Sequence, residues 1–127
     1  MKHNQKVLIL DDEEALRAII AQRLKRKGYD VLEAGTAREG LSLLKDTLID
    51  AVLLDIKLPD GDGLILLPKI KQFQTDLQVI MLTGNGTIES AIEAMKLGAY
   101  DYLTKPCNLS ELEITLQKAL ENRKLLM

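Results

Sequence analysis

The chain has a single cysteine, Cys107, so no internal disulfide can brace it and nothing ties it to an oxidising compartment. It has no large excess of either charge. The formal net charge of -2 gives no electrostatic reason to bind nucleic acid or an anionic membrane directly. Long hydrophobic runs are missing as well: the polar start Met1-Lys2-His3-Asn4-Gln5-Lys6 leads into only four strongly apolar residues, too few for a signal-peptide core or a membrane span. No membrane partner is therefore expected, and the cytoplasm is the expected compartment. Repeats, low-complexity stretches and Pro/Gly/Ser-rich linkers are also absent, which points to one domain. At 127 residues, 46% hydrophobic and 28% charged, the chain is long enough and apolar enough to bury a real core.

What is present alternates between two kinds of segment. Val7-Leu8-Ile9-Leu10, Ala51-Val52-Leu53-Leu54 and Val79-Ile80-Met81-Leu82 are short unbroken apolar runs, the mark of parallel strands buried on both faces. Val31-Leu32-Glu33-Ala34 and Tyr100-Asp101-Tyr102-Leu103 are mixed, as strands at the two sheet edges would be. Between them run stripes of helical period: Ala15, Leu16, Ile19, Ile20 and Leu24; Ala37, Leu41 and Leu44; Ile88, Ala91, Ile92 and Met95; and Leu109, Leu112, Leu116, Ala119 and Leu120. Thr36 with Glu39 forms a capping-box pattern, Asn108 is an N-cap candidate, and Gly28 and Gly98 fit left-handed helix ends. Pro68 is expected within the first turn of a helix starting near Leu64 or Ile65. Five β-α units with short right-handed connections predict an α/β doubly wound parallel sheet, flavodoxin-like, in the strand order 2-1-3-4-5. Its ligand crevice would open at the carboxyl ends of strands one and three.

The residues just past each strand carry the chemistry. Strand one runs into Asp11-Asp12 and strand three into Asp55. Strand four is followed by Thr83-Gly84 and strand five by Lys105-Pro106. Taken singly, an Asp pair before a helix is ordinary capping, and an isolated Asp, Thr-Gly or Lys-Pro is ordinary loop chemistry. Their placement after strands one, three, four and five brings them to one rim of a parallel sheet. Three carboxylates meeting there would repel one another unless a cation neutralised them. Hard oxygen donors without histidine or cysteine suit magnesium.

These motifs, with Leu53-Leu54-Asp55-Ile56-Lys57-Leu58-Pro59-Asp60-Gly61-Asp62-Gly63 and Tyr102-Leu103-Thr104-Lys105-Pro106, resemble the signature set of response-regulator receiver domains in two-component signalling. The resemblance spans nearly the whole chain, with every motif in order. It implies a regulatory phosphoacceptor domain rather than an enzyme, though one that assists its own phosphorylation and dephosphorylation. Asp55 would be the nucleophile, accepting a phosphoryl group from a phosphohistidine on a sensor histidine kinase or a phosphotransfer protein. Asp12, Asp55 and the backbone carbonyl of Lys57 would ligate Mg2+, with Asp11 acting mainly through a metal-bound water. Lys105 would pair with phosphoryl oxygens and Thr83 would donate a hydrogen bond to them, and Lys105-Pro106 would be a cis peptide. Thr83 and Tyr102 would form the switch, altering the face made by helix four, strand five and helix five. Lys57 and Asn85 occupy positions that shape water access to the phosphoryl group.

Other readings carry less. An Asp-nucleophile phosphatase using magnesium needs a second Asp where this chain has Lys57. The Asp60-Gly61-Asp62-Gly63 stretch lacks the ligands of a calcium loop and is read as a turn. A flavin binder of the same fold would need a phosphate-cradling loop where Asp11 and Asp12 stand. His3 is expected to be solvated, Cys107 to be a partly buried residue without a redox task, and Lys69 and Lys71 to line a solvated helix face. The last helix continues through Glu121-Asn122-Arg123-Lys124 into apolar Leu125-Leu126-Met127 with no stop signal. The expected organisation is a receiver over 1–122 and, at 123–127, the start of a linker to an effector domain. The resemblance is strongest to receivers of ATPase-type transcriptional activators. Homodimerisation on phosphorylation and DNA contact only through that effector are expected, and a stand-alone receiver acting through protein partners is the alternative.

Overall fold

Val7, Leu8, Ile9 and Leu10 are all buried, and so is every residue of the two other central runs, as a sheet covered on both faces requires. The structure, a computed structural model, describes residues 4–126, with side chains through Arg123, so the expectation for His3 lies outside the described residues, as do Met127 and the side chains of Leu125 and Leu126. Five parallel strands, β1 (Lys6–Leu10), β2 (Asp30–Ala34), β3 (Ala51–Leu54), β4 (Gln78–Thr83) and β5 (Asp101–Thr104), form one sheet in the order β2-β1-β3-β4-β5. This is the expected order, with β5 one residue later than its apolar pattern suggested. The helices are α1 (Glu14–Arg26), α2 (Ala37–Asp46), α3 (Gly63–Phe73), α4 (Ile88–Lys96) and α5 (Leu109–Leu126). Among the described residues no helix is long and apolar enough to cross a membrane.

Alternation along the central strands divides the core. Leu8, Leu10, Val52, Leu54, Val79 and Met81 pack on the face covered by α2, α3 and α4. Val7, Ile9, Ala51, Leu53, Ile80 and Leu82 pack on the face covered by α1 and α5. Each such leucine or isoleucine contributes about 1.5–3 kcal/mol of transfer free energy, so the two cores together fix the register of the sheet.

Helix ends are set by short polar contacts. Gly28 (φ 95) and Gly98 (φ 102) close α1 and α4 in the left-handed region, and the Asn108 side chain accepts from Ser110 N–H at 2.8 Å. Thr36 accepts from Glu39 N–H, but the Glu39 carboxylate takes the Thr36 hydroxyl proton, leaving half of the expected capping box. Both aspartates flanking Gly61 act as caps. Asp62 accepts from Leu64 N–H, and Asp60 reaches across to accept from Ala37 N–H at 2.7 Å and Arg38 N–H at 3.1 Å, at the start of α2. The turn expected there is the tip of an antiparallel ribbon pairing Lys57–Leu58 with Gly61–Asp62.

Three expectations need correction. Capping by Asp62 starts α3 at Gly63, so Pro68 lies in the second turn rather than the first. Its ring leaves the Leu64 carbonyl without the usual backbone donor. Lys71 is not on a solvated face: it is half-buried, its Nζ donates to the Leu77 carbonyl at 2.8 Å, and burial lowers its pKa. The stripe Ile88, Ile92 and Met95 faces outward, with Ile88 82% exposed, and only Ala94 of α4 is buried.

The Asp60 carboxyl is held below its ordinary value of 3.8, first by the Ala37 and then by the Arg38 backbone N–H. A depressed carboxyl stabilises the fold above its unfolded pKa and loses that contribution as pH falls through its folded one. Asp60→Ala is therefore expected to lower the thermal midpoint by a few degrees at pH 7. The difference from wild type should shrink on acidification below about pH 4, as followed by circular dichroism.

Candidate functional site

The ladder of the sheet continues one residue beyond the strand ends, and this brings the chemistry together. Asp11 N–H donates to Ala34 O at 3.0 Å, Asp55 N–H to Leu10 O at 3.1 Å, and Lys105 N–H to Thr83 O at 2.9 Å. Each functional side chain therefore leaves a backbone already fixed by its neighbour. Asp11 and Asp55 are each 3% exposed and Thr83 is fully buried, whereas Asp12 is exposed.

Lys105 is the centre of the cluster. Its Nζ lies 2.7 Å from Asp11 Oδ2, 3.0 Å from Asp55 Oδ2 and 3.0 Å from Glu13 Oε1. Burial opposes its charge, but the hydrogen bonds to Asp11, Glu13 and Asp55 outweigh burial and hold its pKa above the usual lysine range. Burial pushes the Asp11 carboxyl up, against the lowering effect of Lys105 and the Glu13 N–H. The Lys57 N–H donates to Asp55 Oδ1 at 3.3 Å, and Thr83 Oγ1 accepts from Asn85 N–H at 3.1 Å. The Lys105-Pro106 peptide is cis, as the resemblance implied.

Carboxylate oxygens of Asp11, Asp12 and Asp55 lie within 4.8 Å of one another. With Glu13, four carboxylates face one ammonium, so the pocket keeps an excess of negative charge. All the donors are hard oxygens, and the exposed Asp12 leaves a side open to solvent. This set fits a magnesium ion, which accepts one or two protein carboxylates and retains water elsewhere.

Glu13 and Arg17 were not singled out from the sequence. Arg17 donates to the Asp11 carbonyl at 2.7 Å and pairs with Glu33 at 3.1 Å, tying α1 to β2 behind the pocket. Glu13 adjoins the Asp11-Asp12 pair in sequence, so its place at the rim could have been read; Arg17's partners only the fold reveals. Tyr102 stands apart from the carboxylates. Its hydroxyl lies 2.7 Å from Ser90 Oγ, and its ring packs on the core face shared with α4. Cys107 is partly buried in an apolar groove of about 350 Å3 between α1 and α5, and burial raises its thiol pKa.

The profile of the response regulator receiver domain family matches residues 7–117. An NtrX-like response regulator of Rickettsia felis is 44% identical over 121 residues, covering 94% of this chain and 26% of that protein. The DNA-binding transcriptional regulator NtrC of Azospirillum brasilense is 34% identical over 116 residues, covering 91% of this chain and 24% of that one. Among solved structures, a response regulator receiver domain protein of Methanospirillum hungatei superposes with a TM-score of 0.95 at 32% identity, covering 98% of this chain and 100% of that one. The beryllofluoride-activated NtrC4 receiver domain dimer superposes with a TM-score of 0.89 at 35% identity, covering 93% and 98%. The chain spans about a quarter of the length of the curated relatives it matches.

Gly63 shapes the pocket from behind. A Cβ there would lie 2.2 Å from the Asp55 carbonyl oxygen, a backbone atom that cannot swing aside. Gly63→Ala is expected to cost at least about 1–3 kcal/mol in urea unfolding, the usual range for overpacking, and to displace Asp55 from Lys105.

Proposed function

Since the chain belongs to the response regulator receiver domain family of two-component signalling, we propose that it accepts a phosphoryl group on Asp55 from a phosphohistidine of a sensor histidine kinase or phosphotransfer protein. The observation that carries this reading is the buried Asp55 carboxylate at the sheet rim, 3.0 Å from Lys105 Nζ and beside Asp11 and Asp12. In the transfer, an Asp55 carboxylate oxygen attacks phosphorus and the phosphorus–nitrogen bond breaks. The electron pair leaves on the imidazole, and an acyl phosphate remains on Asp55. Such transfer needs little covalent help beyond in-line positioning and neutralisation of the equatorial oxygens.

Asp12, Asp55 and the Lys57 backbone carbonyl would hold Mg2+, with Asp11 in an outer position; when bound, the ion supplies positive charge against the phosphoryl oxygens. Lys105 would exchange its bonds to Asp11 and Asp55 for bonds to the phosphoryl group. Thr83 would donate its hydroxyl to the same group. Lys57 and Asn85 are both exposed beside the pocket, where their side chains bear on the approach of hydrolytic water. The domain is thus a regulatory acceptor that takes part in its own phosphorylation and dephosphorylation rather than a conventional enzyme.

Phosphorylation would shift a pre-existing equilibrium through Thr83 and Tyr102 and alter the face of α4, β5 and α5. The outward stripe of Ile88, Ile92 and Met95 supplies that face with apolar surface, which suits pairing with a second copy. The relation to NtrC-type regulators supports a receiver over 1–122, followed from 123 by a linker to an effector domain that controls transcription and makes any DNA contact. With that assignment goes a cytoplasmic location, the compartment of the proposed phosphotransfer.

Treatment with acetyl phosphate and Mg2+ is expected to add the mass of one phosphoryl group to the intact chain. No gain is expected without Mg2+ or in Asp55→Asn. Failure of the wild type with both acetyl phosphate and a phosphohistidine donor would overturn the proposal. Separately, MgCl2 at a hundred times its dissociation constant should stabilise the wild type by about 2.7 kcal/mol, seen as a raised thermal midpoint. Asp12→Ala should show little of this rise.

A further inference from the structure

The phenol of Tyr102 does not end in solvent or against the core; it ends on the hydroxyl that starts α4. Ser90 Oγ accepts from Thr87 N–H at 2.8 Å and donates to the Thr87 carbonyl at 2.9 Å. Thr87 Oγ1 in turn accepts from Ser90 N–H at 3.0 Å, completing a reciprocal capping box. A serine hydroxyl has one proton and two lone pairs. One lone pair goes to Thr87 N–H and the proton can serve the Thr87 carbonyl or Tyr102, so in the 2.7 Å contact with the phenol either hydroxyl can donate.

Room for this contact is made by Gly86. A Cβ on Gly86 would lie 1.9 Å from the Tyr102 hydroxyl, so the phenol passes directly over the backbone of the β4–α4 loop. That loop begins just past Thr83, the last residue of β4, whose Oγ1 accepts from Asn85 N–H. Thr83, Asn85, Gly86, Tyr102 and Ser90 form a continuous run of contacts from the rim of the sheet to the first turn of α4.

Resting on the phosphoacceptor reading above, the geometry points to Ser90 as the positioning residue that makes the first turn of α4 depend on where Tyr102 stands. With the phenol in place, Ser90 Oγ is fully satisfied and α4 is capped. When Tyr102 withdraws, Ser90 Oγ keeps only its bonds to Thr87 and loses the contact that fixes it from outside the helix. The start of α4 then loosens, and with it Ile88, the most exposed residue of the apolar stripe. Ser90 touches neither Asp55 nor Lys105; it acts only through Tyr102 and the cap.

The test is amide hydrogen exchange on the full chain, read at Ser90 and Ala91, whose N–H groups bond to Thr87 Oγ1 and Thr87 O. Tyr102→Phe keeps the ring and removes the hydroxyl. It is expected to lower protection at both amides about threefold to tenfold, the range that one neutral hydrogen bond supplies. In a Ser90→Ala background the same change should have no further effect. Unchanged protection in Tyr102→Phe, or additive losses in the double variant, overturns the inference. Samples treated with acetyl phosphate and Mg2+ separate this from the phosphoacceptor reading. Phosphorylated wild type should lose protection at Ser90 and Ala91, whereas Ser90→Ala should gain the same mass with no further loss at Ala91. An equal loss in both overturns the role of Ser90. Absence of any mass gain in the wild type counts against the phosphoacceptor reading instead, and the Tyr102→Phe comparison still decides the junction.

Discussion

A single ammonium holds the acidic rim together. Asp11 and Asp55 come from strands separated by more than forty residues, both are buried, and each lies within 3.0 Å of Lys105 Nζ. Without that charge the two carboxylates would repel each other at low solvent exposure. Lysine reaches this position because β5 is paired with β4, and the ladder extends one residue past Thr104 to Lys105, whose N–H donates to Thr83 O. Sheet topology and pocket electrostatics are therefore one constraint. Strand order decides which residues meet at the rim, and charge balance at the rim decides what those residues must be.

The same pairing explains why the pocket is poised rather than merely stable. Lys105 satisfies three carboxylates with three donor protons, so the rim is hydrogen-bonded but keeps excess negative charge. A divalent cation would relieve that excess. A phosphoryl group on Asp55 would offer Lys105 new acceptors in place of the old ones. Buried ion pairs of this kind add little net stability compared with apolar packing. Two apolar cores, one on each side of the sheet, carry the fold and let the rim serve chemistry.

Most of this was legible in the sequence because its signals are local. Four-residue apolar runs mark central strands, and the polar residues that follow them lie at the rim by the geometry of a parallel sheet. What escaped depends on distance or on packing. Asp60 caps α2 from twenty-three residues away, a pairing no local pattern announces. Lys71 buries its stem against α4 because α3 and α4 are neighbours, so its charge said nothing about its surroundings. The stripe of Ile88, Ile92 and Met95 has the periodicity of a core face yet points outward, because period fixes which residues share a side but not which side is covered.

That outward stripe follows from how each helix is attached. Helix α2 buries Ala37, Gly40 and Leu44 and is capped by Asp60, whereas α3 buries Gly63, Leu66, Leu67 and Ile70. Helix α5 buries Leu112, Leu116, Ala119 and Leu120 and is tied to the far end of the sheet through Asn122 with Gln78 and Arg123 with Asp50. Helix α4 has nine residues, buries only Ala94, and holds its first turn through Thr87 and Ser90. Local stability scales with buried apolar contact, so α4 is the element whose displacement opposes the rim with the least free energy. It is also reached from Thr83 through Asn85, Gly86 and Tyr102. A change of charge at Asp55 would therefore meet little resistance at α4, the helix that carries Ile88, the most exposed of the large hydrophobic side chains among the described residues.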